Sequence, residues 1–418
     1  MTGRGEVIGA DVRQSVVELR EVADDGAAAD DPVSDRHASR QEVRSPHTTR
    51  AYRSAVHRFE TWCAEQGYRS SPADPEVVAA FLAAAGAECD AGIYRYSAST
   101  LSVWAAAIRR DHLDADLPDP VSTPVVRTAL RSMAKRRSAA GQVPERADAL
   151  LADDLRALVD SISARAAAGD WKAHIAACRD IALIVVGFCS ARRRSEIAAI
   201  QFGDLRIVSD EAGSKEQWIT MRIRGSRTSL TSVAYAQLPR SRDSRYCPWC
   251  RLLDWLMVVT VHDNTIRTAK DHGEPEDQQV RAARRSVIRL LDNLSDRDPQ
   301  LHHCDRELPV HRRATAPVWR ALAKSTRYLP ADTGHPLTDQ TIPLILKKRC
   351  QEAGFDSARI ARISGHSLRS GFITQARADG IASEDIKRQS GHKRTDTVDH
   401  YYDSAPSYHK NAANQLQL

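Results

Sequence analysis

One short segment interrupts an otherwise helical pattern in this chain, and it limits the folds that the chain can adopt. Over most of the 418 residues, apolar side chains recur every three or four positions, which is the spacing of amphipathic helices. Between about 205 and 238 the pattern changes to alternation, in the segments LRIV, QWITMRIR and TSVAYAQL. Such alternation predicts antiparallel strands, so we expect a mainly α fold that contains one small antiparallel β-sheet.

Local composition divides the chain into segments. Residues 1–44 carry ten acidic and six basic residues without a sustained periodicity, and we expect a disordered or loosely ordered tail. Four amphipathic stretches in 45–137 predict a small helical domain, and 138–147 has the composition of a linker. Residues 148–418 form the second predicted domain, in which the charged stretch 262–315 is interpreted as an insertion.

Charge and hydropathy narrow the classes of partner. The chain carries a net charge of +6, and the acidic tail leaves +10 for the remainder. A basic balance of this size permits a nucleic-acid partner without requiring one. We recognise no apolar run of about 18 residues and no secretory signal, so we expect no membrane partner and a cytoplasmic location.

Two of the eight cysteines, Cys247 and Cys250, form the sequence CPWC. A single Cys-x-x-Cys pair is a weak indication of zinc, and His302, His303 or Cys304 would have to complete the ligand set from far along the chain. The simpler interpretation is a helix that begins with two buried thiols. We therefore predict no metal site from the sequence.

Three short clusters contain the side chains that could take part in a chemical reaction. They are SARRRSEIAAI at 190–200, SGHSLRSGF at 364–372 and SGHKRTDTVDHYY at 390–402. Guanidinium groups can hydrogen-bond the oxygens of a phosphodiester as negative charge develops, and a tyrosine hydroxyl can act as a covalent nucleophile. Ser-Gly-His occurs in two of the clusters, and we interpret this as coincidence.

Taken together, the clusters resemble the signature of the tyrosine recombinases, the phage integrase family. That signature pairs an arginine with a glutamate three residues later, a histidine with an arginine three residues later, and a Gly-His with a tyrosine nine residues after the histidine. The resemblance covers roughly residues 46–405. The matching positions here are Arg193, Glu196, His366, Arg369, His392 and Tyr401.

The resemblance implies a fold, a reaction and a role for each matched residue. The helical domain would be a core-binding, SAM-like domain, followed by a mixed α/β catalytic domain. Arg193 and Arg369 would clamp the scissile phosphate, and Tyr401 would attack it to leave a 3′-phosphotyrosyl link. His366 and His392 would assist proton transfer, and the carboxylate of Glu196 would hold the first arginine. The family's reaction needs no metal, ATP or other cofactor.

Three points stay open at the level of sequence. A one-residue slip would select a neighbour of Arg193 in the Arg192–Arg194 run, and Tyr402 could replace Tyr401 as the nucleophile. The family also places a catalytic lysine in the hairpin between its second and third strands, and this hairpin has none. Arg227 or Arg224 would have to take its place, although arginine is a poor proton donor.

The resemblance also implies double-stranded DNA with specific recognition sites as the partner, bound by a homotetramer that joins two such sites. The location would then be the nucleoid, and the need for accessory proteins is unknown. A DNA-binding relative without strand cleavage and a relaxing enzyme of the type IB topoisomerase kind are the alternatives. Candidate DNA-contacting residues are Arg50, Arg53, Arg109, Arg110, Lys135, Arg136 and Arg137.

Overall fold

The computed structural model describes most of the chain from the first predicted helix onward. The predicted tail 1–44 and both candidate tyrosines, Tyr401 and Tyr402, lie outside the described residues. The chain divides into two compact units, Met1–Pro144 and Glu145–Leu418. The described residues are 46–90, 92–141, 147–209, 217–224, 234–323, 328–329 and 335–392.

The first unit contains the four predicted helices and a two-stranded hairpin. The helix α2 begins where the sequence predicts, because the Asp74 side chain accepts a hydrogen bond from the backbone N–H of Glu76 and proline occupies the first turn. Phe59, Phe81 and Trp104 pack between the helices in a single core. The elements are α1 (Pro46–Gln66), α2 (Pro75–Ala87), β1 (Cys89–Asp90), β2 (Ile93–Tyr94), α3 (Ala98–Asp114) and α4 (Pro124–Ala139).

The second unit surrounds a three-stranded antiparallel sheet with helices, which confirms the predicted fold class. The sheet has the order β3-β4-β5, with Ile219 of the central strand opposite Ile207 and Leu238. Its strands are β3 (Leu205–Ser209), β4 (Gln217–Ile223) and β5 (Ala234–Leu238). Its helices are α5 (Ala152–Ala167), α6 (Trp171–Ser190), α7 (Arg194–Ala198), α8 (Pro248–Asp271), α9 (Glu276–Ser295), α10 (Thr341–Glu352), α11 (Ser357–Arg362), α12 (Ser367–Ala378) and α13 (Ser383–Ser390).

The helix α6 is the central helix of this unit. Ile175, Ala182 and Val186 on it are fully buried, as the periodicity predicts. By length and composition alone α6 could cross a membrane, because an 18-residue window of it has a mean hydropathy of 1.6. This window is the kind of apolar run that the sequence was not expected to contain. In the structure 72% of that apolar window is buried inside the unit, as is usual for the core helix of a packed domain.

The charged stretch 262–315, interpreted above as an insertion, packs into the core of the unit. Its first ten residues complete α8, and α9 packs along α8 with Val287 and Leu291 buried in the common core. Charged residues dominate the composition because α9 exposes its other face. A strongly amphipathic helix next to a buried one therefore resembles an appended segment when only composition is considered.

Candidate functional site

Three consecutive arginines follow α6 and have three different environments. Ala191 ends the helix in the left-handed conformation, with φ at 51°, and the chain then turns into α7. Arg192 is 5% exposed and its guanidinium donates a hydrogen bond to the Tyr235 carbonyl. Arg194 pairs with Asp339 at 3.3 Å. The turn thus separates the side chains that the sequence could not distinguish.

Arg193 is held by Glu196, the carboxylate three residues later. Its guanidinium donates to Glu196 Oε1 at 2.8 Å, and its backbone N–H donates to Oε2 at 3.1 Å. The Glu196 side chain is only 4% exposed, whereas that of Arg193 is 28% exposed. The glutamate therefore fixes both the backbone and the guanidinium of Arg193, while part of the guanidinium faces outward.

Arg369 comes from α12 and is 3% exposed. One of its terminal nitrogens donates to the carbonyls of Ala191, at 2.8 Å, and of Ser390, at 2.6 Å. These carbonyls belong to the ends of α6 and α13, so the arginine joins three helices at one point. The other terminal nitrogen lies 2.7 Å from His392 Nε2.

The contacts of His392 define its protonation. A guanidinium has no acceptor, so His392 Nε2 must accept from Arg369 and Nδ1–H donates to Ser390 Oγ at 2.8 Å. Burial, followed by the positive charges of Arg369 and the other nearby arginines, lowers the pKa of His392 to about 4. The ring is therefore neutral at neutral pH.

His366 precedes the first turn of α12 and keeps a solvent-accessible side chain. Partial burial and the charges of Arg369, Arg194 and Arg193 lower its pKa as well. Both imidazoles thus share the electrostatic field of Arg193 and Arg369. We call this set the arginine–histidine cluster, and its members are Arg193, Glu196, His366, Arg369 and His392.

The two Ser-Gly-His sequences have matching roles, which corrects their interpretation as coincidence. A Cβ on Gly365 would lie 2.4 Å from the Arg194 side chain, and a Cβ on Gly391 would lie 2.2 Å from that of Arg192. Each glycine therefore makes room for one of the two arginines that flank Arg193. In each copy the serine hydroxyl hydrogen-bonds the histidine, at the His366 backbone N–H or at the His392 ring.

The cluster has the charge and the donors to bind an anion. Within the part of the chain that the structure describes, its members contribute two guanidinium groups, two neutral imidazoles and one carboxylate. Guanidinium donors held by rigid contacts are suited to a phosphate whose charge increases during reaction. The neutral imidazoles can accept or relay a proton.

Comparison with known proteins identifies the class of enzyme. The phage integrase family model matches residues 303–407, and the model of the phage integrase N-terminal SAM-like domain matches residues 35–112. The chain therefore carries two regions that match phage integrase models, and together they indicate a tyrosine recombinase. It is 22% identical over 379 residues to an integrase/recombinase XerD homologue of Selenomonas ruminantium, a match that covers 90% of this chain and 87% of the relative.

Solved structures of recombinases resemble the fold at low sequence identity. A XerH site-specific recombinase in a post-cleavage complex with palindromic difH substrate aligns with a TM-score of 0.47 and 11% identity, over 88% of this chain and 80% of the other. The Tn1549 transposon integrase in complex with transposon right-end DNA aligns with a TM-score of 0.44 and 12% identity, over 92% of this chain and 99% of the other.

Arg224, one predicted substitute for the hairpin lysine, pairs with a buried carboxylate. Its Nε is 2.8 and 2.7 Å from the two oxygens of Asp204, which is fully buried, and Arg222 donates to the same carboxylate. Burial raises the pKa of Asp204, but the hydrogen bonds from Arg224, Gln201 and Arg222 outweigh it and lower the pKa overall. Arg227, the other candidate, lies outside the described residues.

The predicted DNA-contacting residues have three kinds of environment: some are exposed, some pair with a carboxylate, and one is buried. Arg50, Arg53, Lys135 and Arg136 are exposed on α1 and α4. Arg109 is half exposed and pairs with Asp119, and Arg110 pairs with Asp114.

Arg137 does not fit the predicted contact with DNA, because it is 5% exposed and cannot meet a phosphate. Its guanidinium donates to the carbonyls of Gly86, Tyr96 and Met133 and lies 4.6 Å from the Tyr94 ring centroid. The sequence groups it with Lys135 and Arg136, but one helical step of about 100° turns it inward. It stabilises the fold of the first unit.

Proposed function

We propose that this chain cuts and rejoins DNA strands at specific sites through a 3′-phosphotyrosyl link to Tyr401. The observation that carries the proposal is the arginine–histidine cluster, in which residues from three separate motifs meet at one point. The order and spacing of the motifs match those of the phage integrase family.

In the proposed reaction the Tyr401 oxygen attacks the scissile phosphorus, and the bond from phosphorus to the 5′-oxygen breaks. The tyrosine hydroxyl loses its proton and the leaving 5′-oxygen gains one, so the step is balanced without a cofactor. Ligation is the reverse, with the 5′-hydroxyl of a partner strand as nucleophile. The bond energy stays in the phosphotyrosyl link, which explains why no nucleotide triphosphate is needed.

We assign a separate role to each kind of residue in the cluster. Arg193 and Arg369 bind the non-bridging oxygens, where the transition state gains negative charge. Glu196 positions Arg193, since it holds both the backbone and the side chain. Burial and the arginines keep both imidazoles neutral. The accessible ring of His366 can accept the tyrosine proton, whereas both ring nitrogens of His392 are hydrogen-bonded, so we assign His392 to holding Arg369 in place.

The predicted hairpin offers no lysine to donate a proton to the leaving 5′-oxygen. Asp204 engages Arg224, so Arg227 is the remaining arginine candidate from the predicted hairpin. The pKa of a guanidinium lies far above neutral pH, so arginine would stabilise negative charge more effectively than it would donate a proton. We therefore expect slow cleavage, or donation by one of the histidines.

Duplex DNA is the partner, and we assign its backbone contacts to exposed basic residues of the first unit. Arg50, Arg53, Lys135 and Arg136 can meet phosphates without leaving another contact, and such contacts set the register of the protein on DNA. Exchange of strands between two sites requires two cleaving protomers on each site, which makes a homotetramer the proposed assembly.

The experiment that tests the proposal is a search for the covalent adduct. The full chain is incubated with a DNA library from its own genetic neighbourhood, quenched with SDS, and the protein-linked ends are captured and sequenced. We expect adducts at one short sequence, with Tyr401→Phe abolishing them and Tyr402→Phe retaining them.

Other outcomes contradict parts of this proposal. Specific binding without adduct supports the DNA-binding relative, because the missing lysine would then have cost the chemistry. An adduct that relaxes supercoils but forms no joined product from two sites supports the type IB topoisomerase kind. An adduct that is lost only in Tyr402→Phe moves the nucleophile by one residue.

A further inference from the structure

Three cysteines and one histidine from two distant parts of the chain meet at the start of α8. Cys247 precedes the first turn of this helix, and Cys250 follows three residues later on the same face. His302 and Cys304 approach from the loop after α9. One ligand atom from each of the four lies within 4.8 Å of the others, and none of the four belongs to the arginine–histidine cluster.

The distances fit a tetrahedral zinc ion. His302 Nδ1 lies 3.5 Å from the sulfur of Cys250 and 3.5 Å from that of Cys304. Zinc bound to sulfur at about 2.3 Å and nitrogen at about 2.0–2.1 Å, with tetrahedral angles, places those atoms roughly 3.6 Å apart. An ion would therefore fit at the centre after small movements of the side chains.

The surroundings of His302 prepare it to bind a metal through Nδ1. Its Nε2 lies 3.2 Å from the carbonyl oxygen of Arg242. A carbonyl only accepts, so Nε2 carries the hydrogen and the Nδ1 lone pair points toward the thiols. Metal-bound histidines commonly have this second contact, which fixes the tautomer and the ring.

The thiols are shielded from solvent and lie near a positive charge. Cys247, Cys250 and Cys304 are at most 1% exposed. Arg240 adds a positive charge nearby, because its guanidinium donates to the Cys304 carbonyl at 2.8 Å.

The adjacent His303 has other partners. Its Nε2 lies 2.8 Å from Asp254 Oδ1 and 3.2 Å from the Cys250 carbonyl. It therefore supports the α8 side of the site, whereas His302 points into it. The two neighbours form a natural pair for a controlled experiment.

We infer that Cys247, Cys250, His302 and Cys304 bind one structural Zn²⁺. Three thiolates and one imidazole make a closed site without an open position for substrate, which is the pattern of structural zinc. The ion would tie the start of α8 to the loop after α9. It would thereby secure the charged stretch 262–315 to the sheet, because Trp249 beside the site donates to the Leu238 carbonyl of β5.

The test is the metal content of the full chain. Protein produced with zinc in the medium and dialysed against metal-free buffer is analysed for zinc and iron together. We expect about one zinc per chain, and less than about a tenth in Cys250→Ser and Cys304→Ser. Cys350→Ser, which removes a buried thiol elsewhere in the unit, should retain the zinc.

Two further measurements protect the test from variants that fail to fold. Exchange of the wild-type metal for Co²⁺ should give the strong visible bands of tetrahedral cobalt and a near-ultraviolet thiolate band. His302→Asn should lose or shift these bands, and His303→Asn should keep them. A zinc-free wild type, iron in place of zinc, a Cys247–Cys250 disulfide, or dependence on His303 alone would overturn the inference.

Discussion

Two sets of arginines in the second unit have different charge balances. In the core, the carboxylates of Asp180, Asp263 and Glu352 accept from Arg179, Arg320 and Arg349, and two histidines also contact Asp263. In the arginine–histidine cluster, described members include two arginines and one carboxylate, and several donors reach backbone carbonyls instead. The first arrangement is neutralised from within, whereas the second favours an added anion.

The comparison separates structural from functional arginines without reference to burial. Arg320 and Arg369 are 0% and 3% exposed, so burial does not distinguish them. The described contacts differ, because Arg320 donates to the Asp263 carboxylate, whereas Arg369 donates to two backbone carbonyls and to His392. We expect a guanidinium that is oriented by carbonyls to remain able to stabilise a negative substrate.

The largest expected effect is on the stability of the neutralised network. Arg320→Met should lower the free energy of unfolding by about 3–5 kcal/mol, because the Asp263 carboxylate stays buried without its main counter-charge. Urea unfolding measures the loss. Arg312→Met removes an exposed pair with Asp271 and should cost less than about 1 kcal/mol. Equal losses in the two variants would refute the distinction.

The next largest effect should be on the rate of DNA cleavage. Arg193→Ala should reduce single-turnover cleavage by about 10²–10³-fold, the usual result of removing one donor to a developing oxyanion. The variant should also lose some stability, because the Glu196 carboxylate, only 4% exposed, loses its guanidinium partner, so cleavage is measured at a temperature at which both proteins are folded. Arg194→Ala, which removes the contact to Asp339, is the matched neighbour and should change cleavage only a few-fold. A reversed order of the two would show that the family register is shifted by one.

A smaller effect should separate Arg136 from Arg137 in the first unit. Arg137→Met leaves three carbonyls without their donor and should destabilise the unit by about 1–3 kcal/mol. Arg136→Met should leave stability unchanged and weaken DNA binding with a reduced salt slope. Thermal unfolding and a salt titration of binding distinguish the two. Weaker binding by a fully stable Arg137→Met would contradict its structural role.

The smallest effect is a dependence of stability on pH. The pKa of His392 is about 4 in the folded state and about 6.5 in the unfolded state, so only the unfolded state takes up the proton between these values. Stability should therefore be lost as the pH falls from 6.5 to 4. His392→Gln should reduce that loss by on the order of 1 kcal/mol, measured by urea unfolding at both pH values. Identical losses in both proteins would contradict the burial of a neutral ring.

The helices and the sheet were predictable because their signals are local. Periodicity, the Asp74-Pro75 cap and the alternation of LRIV and QWITMRIR are each contained in a few consecutive residues. The family motifs were recognisable for the same reason. Their convergence rested on the family resemblance, since the residues that meet are up to about 200 positions apart in the chain.

What the sequence did not predict depends on contacts between distant segments. Arg137 is satisfied by carbonyls 41 and 51 residues away, so its burial has no local signal. The approach of Cys304 to Cys250 depends on α9 folding back along α8, which the charged composition concealed. The pairing of Arg224 with Asp204 likewise needs the register of the sheet.

The fit of Gly365 against Arg194 and of Gly391 against Arg192 has a consequence for how this sequence can change. The motifs around these positions are linked, because a larger residue in one displaces a side chain of another. A residue larger than glycine at 365 should be tolerated only together with a smaller one at 194, whereas position 391 is restricted to glycine by its backbone as well, because its φ is 72°. A library randomised at 365 and 194, selected for recombination, should therefore return glycine at 365 or a paired change at both positions.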